Sequence, residues 1–296
     1  QDNWEDKITK ISYRPFDNRY VYYSEDMVDW PRQELMPNML EKNLGIITVR
    51  QSKTGSNWSH AFIVDNIVES CLVSSQTSEI GYLFPLYLYP NQNQLSEFLP
   101  LDELPQPIWK KSANIDSLFI KTLEATYSKN IDPEDFLYYV YAVLYSPTYR
   151  ETYAPFLKID YPRIPFTSDP EVFEEMARLG ERLKDLHLLR SEELEDSTVR
   201  FQGTGDDIIR FRRYDPDQKR LYINKDKYFE NLDPEVWHYQ IGGYQVLDKY
   251  IKDRKDQPLT DPRHIIRIAT ALARTLEIQS KIDESFPRIN RNYLVL

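Results

Sequence analysis

The stretch Ile11–Ser24, with the sequence I-S-Y-R-P-F-D-N-R-Y-V-Y-Y-S, is the most informative part of the chain. Aromatic and β-branched residues stand on both sides of a Pro-Phe-Asp-Asn break, a pattern that predicts a β-hairpin. Its two arginines, Arg14 and Arg19, carry planar groups with several donors, which suit phosphates or guanine edges. The stretch therefore predicts a strand-rich start to the fold and a surface that contacts a partner.

The composition is that of a folded protein rich in tyrosine. Of the 296 residues, 41% are hydrophobic and 28% are charged, so a well-buried core is expected and disorder is not. The chain contains 22 Tyr and only 8 Gly. A net charge of −10 argues against indiscriminate nucleic-acid binding, although Arg200–Lys227 and Asp248–Arg274 are locally basic.

The chain shows no sign of secretion or membrane insertion in its sequence. Its single cysteine, Cys71, cannot form an internal disulfide, which fits a reducing cytoplasm. No apolar run has the length of a membrane span, and no signal peptide pattern opens the chain. Gln1 in place of Met indicates a piece of a longer polypeptide. We therefore expect a cytoplasmic domain whose chemical partners lie upstream.

Residues 8–90 read mainly as strands with one helix. The helix is predicted at Pro31–Lys42, where Pro31 stands in the first turn. Pro37 is expected to shorten or kink this helix. Strands are predicted at Ile46–Gln51, Ala61–Val64, Ser70–Ser74 and Tyr82–Leu88. Pro90–Pro107 is rich in Pro, Asn, Gln and acidic residues and is the best linker candidate.

The second half of the chain reads as helices followed by mixed structure. Apolar residues at three-to-four spacing predict helices over Asn114–Tyr127, after Asp132, after Asp169 and after Asp261. Strands are predicted near Ile208–Tyr214 and Leu221–Ile223. The chain is thus α+β, with a β-rich part at 1–105, a helical part at 106–190 and a mixed part at 191–296 that we expect to form one composite domain.

Catalytic motifs are weak. F-Q-G-T-G-D at Phe201–Asp206 resembles the loop that receives S-adenosylmethionine in methyltransferases, but the residues after it predict a strand and turn instead of a helix. We therefore interpret it as a turn between strands. Lys158–Phe166, K-I-D-Y-P-R-I-P-F, lacks the paired prolines of the N-P-P-Y element of amino methyltransferases. The four histidines are isolated and show no metal-ligand spacing.

Two clusters favour contact with a partner. Arg50–His60, R-Q-S-K-T-G-S-N-W-S-H, falls on a predicted turn and offers the side chains that read base edges in a major groove. The alternative is a polar hairpin with a structural Trp58. In Trp237–Lys255, Gly242-Gly243 permits either a close backbone approach to a ligand or a tight join between packed elements, and the residues do not decide between them.

Seven motifs in order carry a family resemblance, although each is weak alone. They are Y-R-P-F-D-N-R-Y-V-Y-Y, N-L-G-I-I-T-V-R-Q, W-S-H-A-F-I-V-D, Y-L-F-P-L-Y-L-Y, D-F-L-Y-Y-V-Y-A-V-L-Y-S-P-T-Y-R, L-K-I-D-Y-P-R-I-P-F and V-W-H-Y-Q-I-G-G-Y-Q-V-L. Together they resemble the C-terminal specificity domain of Type ISP restriction-modification enzymes over nearly the whole chain.

The resemblance implies a bacterial parent polypeptide with a nuclease, a helicase-like motor, an adenine amino-methyltransferase and, last, this target-recognition domain. The domain would read an asymmetric DNA duplex while the methyltransferase flips and methylates the adenine. The chain itself would be no enzyme and hold no cofactor; its parent would use S-adenosylmethionine, with ATP and Mg²⁺ as further candidates. Related methyltransferases lacking the nuclease or motor share the domain, so cleavage by the parent stays open.

Residue chemistry selects the predicted DNA contacts within this framework. They are Arg14, Asn18, Arg19, Arg50, Gln51, Lys53, Asn57, Trp58, His60, Gly242 and Gly243. The rings of Tyr13, Phe16 and several of Tyr20, Tyr22 and Tyr23 are expected to pack in the core or between domains. Two alternatives remain open: a coupling module that reads no bases, and a catalytic domain that binds S-adenosylmethionine through the Phe201–Asp206 loop.

Overall fold

The computed structural model describes residues 4–24, 27–28, 32, 34–53, 57–75, 79–90 and 111–294. Most of the predicted linker Pro90–Pro107 lies outside these ranges, and so does the predicted boundary at residue 105. Parts of the predicted helix Pro31–Lys42 and of the turn after Gln51 lie outside them as well.

The strands form small sheets along the chain. They are β1 (Ile8–Arg14), β2 (Asp17–Tyr22), β3 (Gly45–Val49), β4 (Ala61–Val64), β5 (Ile67–Val68), β6 (Gly81–Pro85), β7 (Tyr87–Leu88), β8 (Ser112–Ala113), β9 (Arg200–Gln202), β10 (Arg213–Asp215), β11 (Arg220–Tyr222), β12 (Tyr228–Glu230), β13 (Gln240–Ile241) and β14 (Tyr244–Gln245). Their orders are β2-β1-β5, β4-β3-β6, β7-β8, β10-β11-β12-β9 and β13-β14. Among these described strands only β1 and β5 pair in parallel.

The helices follow the β-rich part. They are α1 (Ser117–Tyr127), α2 (Pro133–Tyr145), α3 (Pro147–Thr152), α4 (Ala154–Leu157), α5 (Pro170–His187), α6 (Pro234–Trp237), α7 (Val246–Lys252) and α8 (Pro262–Arg291). Short 3₁₀ turns occur at Trp4–Lys7, Met36–Met39 and Glu192–Glu195. None of the described helices is long and apolar enough to cross a membrane.

The hairpin predicted from the Ile11–Ser24 stretch is confirmed. Strands β1 and β2 pair antiparallel from Ile8 opposite Tyr22 to Arg14 opposite Asp17, with an irregularity in the register near the turn. Phe16 forms the turn with a φ of 63° and buries its ring, whereas Tyr20 is largely exposed. The predicted packing in the core is therefore confirmed for Phe16, and packing of the exposed Tyr20 ring between domains stays a prediction.

The centre of the fold is the β4-β3-β6 sheet packed against α2. Every residue of β3 is buried, as its continuous apolar run requires. Two tyrosines of α2 satisfy backbone groups of β4: the Tyr141 hydroxyl accepts from Ile63 N at 3.2 Å, and the Tyr145 hydroxyl donates to Ala61 O at 3.1 Å. A buried cluster of apolar side chains extends from Phe16 to Ile289 and joins the β-rich, helical and mixed parts.

Helices α5 and α8 complete the packing around α2. A Cβ on Gly180 of α5 would lie 1.9 Å from Tyr138 O, so the two backbones approach as only glycine allows. The His187 ring, at the end of α5, is buried with Nδ1 2.6 Å from the Tyr141 hydroxyl and Nε2 3.0 Å from the Thr275 hydroxyl of α8. Burial lowers the pKa of His187 to about 3, so this link is neutral.

The predicted helices of the second half are confirmed, and the α+β class with them. Asp116, Asp169 and Asp261 accept backbone N–H bonds at the first turns of α1, α5 and α8. Pro occupies the first helical position of α2, α5 and α8, where its missing N–H costs nothing. These starts were predictable because both signals act within one turn.

The predicted helix at Pro31–Lys42 is wrong in its described part, where only the 3₁₀ turn Met36–Met39 forms. The Asn38 amide donates to Leu35 O at 3.0 Å, and its Oδ1 accepts from Tyr89 N at 2.8 Å. These bonds compete with the helical ladder and join the turn to the end of β7. Pro37 removes a further backbone donor.

One further predicted strand is wrong, and another forms only at its end. Ser70–Ser74 forms turns, since the Glu69 carboxylate accepts from Cys71 N at 3.0 Å and Glu69 O accepts from Leu72 N at 3.1 Å. Most of Ile208–Tyr214 runs beside other segments without a ladder, and only its end belongs to β10. In both cases side chains and distant backbone groups replaced the strand bonds that the alternating pattern indicated.

Candidate nucleic-acid interface

The predicted turn after β3, described at residues 50–53 and 57, presents four of the predicted contact residues to solvent. Arg50, Gln51, Lys53 and Asn57 are all exposed. Two bonds fix the start of this turn: Ser52 N donates to Lys158 O at 3.2 Å, and Lys53 N donates to the buried Glu79 carboxylate. The turn is thus a supported surface feature that carries guanidinium, ammonium and amide groups outward.

The segment after α3 forms the neighbouring surface. Arg50 Nε donates to Asp160 Oδ1 at 3.3 Å, and its guanidinium carbon lies 6.0 Å from the centre of the Tyr161 ring. Lys158 and Arg163 are exposed on the same segment, and Arg150 lies in α3. We call Arg50, Lys53, Arg150, Lys158 and Arg163 the basic face. Although Glu151 and Asp160 accompany it, the face is positive in a chain of net charge −10.

Exposed rings border the basic face. Tyr161 meets Tyr82 and Phe84 of β6 edge to face, with ring centres 5.3 and 5.8 Å apart. Both β6 rings are exposed, as is Phe156 of α4. Apolar rings of this kind can contact thymine methyl groups beside the polar base edges. The arrangement therefore joins donors for phosphates and bases to an apolar border.

A cavity of about 530 Å³ opens beside the turn. Asn57 and Lys158 lie on its rim, Arg150 and Glu151 line one side, and Gln240 of β13 lines another. The cavity is polar, and it connects the predicted turn to residues far away in the sequence.

Trp58 and His60, two further predicted contact residues, are buried beneath this surface, and contact of either with DNA stays a prediction. Their side chains are 1% and 0% exposed. Trp58 therefore fits the structural alternative, the core of a polar turn. His60 Nε2 lies 3.8 Å from the Glu79 carboxylate. Burial lowers the pKa of His60 to about 4, with Glu79 opposing the change and Arg150 adding to it, so the ring is neutral at pH 7.

Arg14, a predicted DNA contact, is held in an ion pair within the chain. It pairs with Glu69, its side chain is 13% exposed, and its guanidinium carbon lies 4.0 Å from the centre of the Tyr13 ring. Glu69 lies 55 positions away, beside β5. The pair therefore ties the hairpin to the central part of the fold.

Arg19 is partly exposed, and Asn18 is exposed. Arg19 donates to the buried Asp17 at 3.0 Å and lies 3.7 Å from the centre of the Tyr13 ring. Asp17 also accepts from Arg254 Nη2 at 2.8 Å. Burial would raise the pKa of Asp17, but the hydrogen bonds from Arg254 and Arg19 outweigh it and hold the pKa below its ordinary value. This group joins the hairpin to the end of α7.

Gly242 and Gly243 pack against backbone of the same chain. Gly242 has a φ of 58°, and a Cβ there would lie 1.6 Å from Val73 O. Its N–H donates to Ser59 O at 2.8 Å, and Gly243 N donates to Val73 O at 3.2 Å. Of the two interpretations left open, the contacts favour the tight join between packed elements.

The Phe201–Asp206 loop matches the turn interpretation. It leaves β9, a strand at the edge of an antiparallel sheet, and a Cβ on Gly203 would lie 1.8 Å from Asp226 O. The close approach that glycine allows is thus to another loop of this chain. No cluster of metal-ligating side chains occurs within the described ranges.

Sequence reasoning missed Arg150, Lys158 and Arg163 as members of the site. The signal was present, because Arg150 ends one motif of the family resemblance and the other two lie in another. Taken by itself, Lys158–Phe166 only lacks the paired prolines of the N-P-P-Y element and carries no pattern of a contact site. Nothing local to that segment indicated that it would lie beside Arg50.

One family model matches nearly the whole chain, and solved structures share its fold. The profile of the Type ISP C-terminal specificity domain matches residues 1–281. Similar solved structures include the ATP-dependent Type ISP restriction-modification enzyme LlaBIII bound to DNA, with a TM-score of 0.72 and 21% identity over 95% of this chain and 19% of that chain. No match was found among proteins with curated descriptions.

Two further solved structures share the fold. A nuclease-deletion mutant of the Type ISP enzyme LlaGI in complex with a DNA substrate mimic has a TM-score of 0.67 and 19% identity over 95% of this chain and 25% of that chain. The DrdV–DNA complex has a TM-score of 0.67 and 21% identity over 97% of this chain and 28% of that chain. The chain thus spans between 19% and 28% of these larger chains, and it belongs to the Type ISP C-terminal specificity domain family.

Proposed function

We propose that the chain recognises a specific sequence in double-stranded DNA as the specificity domain of a restriction-modification enzyme. The observation that carries the proposal is the exposed turn with Arg50, Gln51, Lys53 and Asn57 beside the basic face of an otherwise acidic chain. Arg pairs with guanine and Gln or Asn with adenine through two bonds each in the major groove. Family membership and the DNA complexes of similar structures support it.

In this proposal, different residues contact the phosphates and the bases of the DNA. Lys53, Lys158 and Arg163 contact phosphates and fix the register of the duplex. Arg50, Gln51 and Asn57 contact base edges and select the sequence. The buried Trp58 and His60 support the turn from below.

We further propose that an adenine amino-methyltransferase upstream in the same polypeptide carries out the chemistry. The duplex lies between that domain and this one, and the adenine is flipped into the methyltransferase. S-adenosylmethionine, and ATP with Mg²⁺ where the parent also translocates or cleaves DNA, are used there and not by this chain. This division explains how an acidic domain works on DNA, since the other domains supply much of the nonspecific affinity.

The test is selection of duplexes from a randomised pool by the complete protein at a stated salt concentration. An enriched sequence, and tighter binding to it than to a scrambled duplex in fluorescence anisotropy, is the expected result. Equal binding to all duplexes would support the coupling module without base reading. In that event the family's specificity role would not apply to this chain.

The catalytic alternative has a separate test. Calorimetric titration of S-adenosylmethionine into the complete protein measures binding of the cofactor. Gly203→Ala adds a side chain to the Phe201–Asp206 loop, where the catalytic alternative requires the backbone to approach the cofactor closely. We expect the same binding isotherm before and after the substitution in protein that remains folded. Loss of binding only in the variant would assign the cofactor to this chain.

A further inference from the structure

Arg150 has an unusual position in the wall of the 530 Å³ cavity. Its Nε donates to Leu144 O at 2.6 Å, and its guanidinium carbon lies 4.6 Å from the centre of the Tyr145 ring and 5.9 Å from that of Trp58. Its Nη2 is buried and donates no hydrogen bond. Among the described residues no carboxylate forms an ion pair with it.

The positive charge of Arg150 affects the pKa values of buried side chains near it. Burial, and after it the charge of Arg150, hold the pKa of His60 at about 4, against the opposing charge of Glu79, and that of His187 at about 3. Burial raises the pKa of Tyr145 to about 12, and the same charge opposes the rise. Because no carboxylate of the described residues pairs with this half-buried cation, its charge is costly unless an anion compensates it.

The rest of the cavity suits a tetrahedral oxyanion. Lys158 supplies an ammonium group from the rim, and the exposed amides of Asn57 and Gln240 supply neutral donors. A guanidinium donates charge-assisted hydrogen bonds to phosphate oxygens. Glu151 is the carboxylate in the lining, and it is exposed to solvent.

We propose that this cavity binds a phosphate oxyanion, and that a phosphodiester of the recognised duplex supplies it. The proposal rests on the proposed function for the source of the phosphate, but the oxyanion chemistry does not depend on it. Asn57 belongs both to the cavity rim and to the reading turn. A phosphate held by Arg150 therefore fixes the distance between the DNA backbone and the base-reading side chains.

The first experiment measures the salt dependence of DNA binding by the complete protein. Arg150→Gln and Lys158→Gln should each reduce the slope of log K against log salt by about one, equally for cognate and scrambled duplex. Lys121→Gln removes an exposed charge from α1 and should leave the slope unchanged. If Arg150→Gln does not fold, the phosphate titration of the exposed Lys158 variant in the second experiment tests the cavity instead.

The second experiment titrates inorganic phosphate without DNA and follows ³¹P line broadening. Phosphate binding that is lost in the Arg150 or Lys158 variant, with unchanged DNA slopes, supports the oxyanion site and assigns it to free phosphate. Unchanged slopes together with no variant-dependent phosphate binding overturn the proposal. Failure of the complete protein to bind any duplex would remove the proposed function alone, because the phosphate titration still tests the cavity.

Discussion

The Nε atom of Arg50 lies 3.3 Å from Oδ1 of Asp160, so the side chain that we propose to read DNA rests against a carboxylate of its own chain. The two side chains are 58% and 51% exposed, and ion pairs between exposed groups contribute little to folding. A carboxylate offers a guanidinium the same kind of acceptor as a phosphate or a base edge. Asp160 and DNA therefore compete for Arg50.

Replacing the competitor should strengthen DNA binding. We expect Asp160→Asn to raise duplex affinity several-fold at low salt, because it frees Arg50 and removes a negative charge from the basic face. The gain should shrink between about 50 and about 200 mM salt. Fluorescence anisotropy at both concentrations measures it.

Asp233→Asn is the matched control for this change. Asp233 is 59% exposed and pairs with Lys219 on another part of the surface, so its replacement alters the net charge equally. Equal gains in the two variants would mean that net charge alone acts, and that Asp160 does not restrain Arg50.

Arg14 should behave as a structural residue. Arg14→Ala leaves Glu69 without its partner, and we expect the free energy of unfolding to fall by about 2 kcal/mol. This is less than the roughly 3–5 kcal/mol of fully buried pairs because Glu69 is 30% exposed. Urea unfolding measures the loss. Lys10→Ala, at an exposed position of β1, should stay within about 0.5 kcal/mol of the wild type. Reduced DNA affinity with unchanged stability would instead make Arg14 a DNA contact.

Gly242 and Gly205 separate the cost of backbone strain from that of a clash. Both have positive φ, and strain of this kind costs about 1–3 kcal/mol. An added Cβ meets Val73 O at 1.6 Å in Gly242→Ala, but its nearest contact in Gly205→Ala is 3.6 Å away. We therefore expect a larger loss in the free energy of unfolding for Gly242→Ala. Equal losses would show that the approach to Val73 is not close enough to matter.

His60 should make stability fall in mild acid. The unfolded chain binds a proton below the ordinary pKa of 6.5, whereas the folded protein does so only near 4, so protonation favours unfolding between these values. His60 should contribute a loss of about 2 kcal/mol between pH 7 and pH 5. Urea unfolding of wild type and His60→Gln at pH 7 and pH 5 isolates the contribution of His60 to this loss. The same pH dependence in both proteins would refute a neutral, buried His60.

The fold was predictable where the signals were local. Asp169 followed by Pro170 predicted the start of α5 because one side chain and one missing donor act within a single turn. The strand predicted at Ser70–Ser74 does not form, because the backbone N–H of Cys71 donates to the adjacent Glu69 carboxylate. The position of that carboxylate also depends on its ion pair with Arg14 of β1. Strand patterns do not report such long-range competition.

The candidate site was predictable in part for the same reason. Arg50 follows a buried strand and was expected at the surface, where it lies. Trp58 and His60 belong to the same polar run, but their burial depends on the packing of β4 against α2. The contact between Arg50 and Asp160 joins positions 110 residues apart, and no feature of either segment indicates it.

The most direct test of base reading is the effect of Arg50→Ala in the complete protein on two duplexes, the selected sequence and its scrambled counterpart. Arg163→Ala is the matched control and should weaken both equally, as a phosphate contact does. For Arg50→Ala we predict a loss of about 1–3 kcal/mol on the selected duplex with little change on the scrambled one. Equal weakening on both duplexes would make Arg50 a phosphate contact and contradict the account.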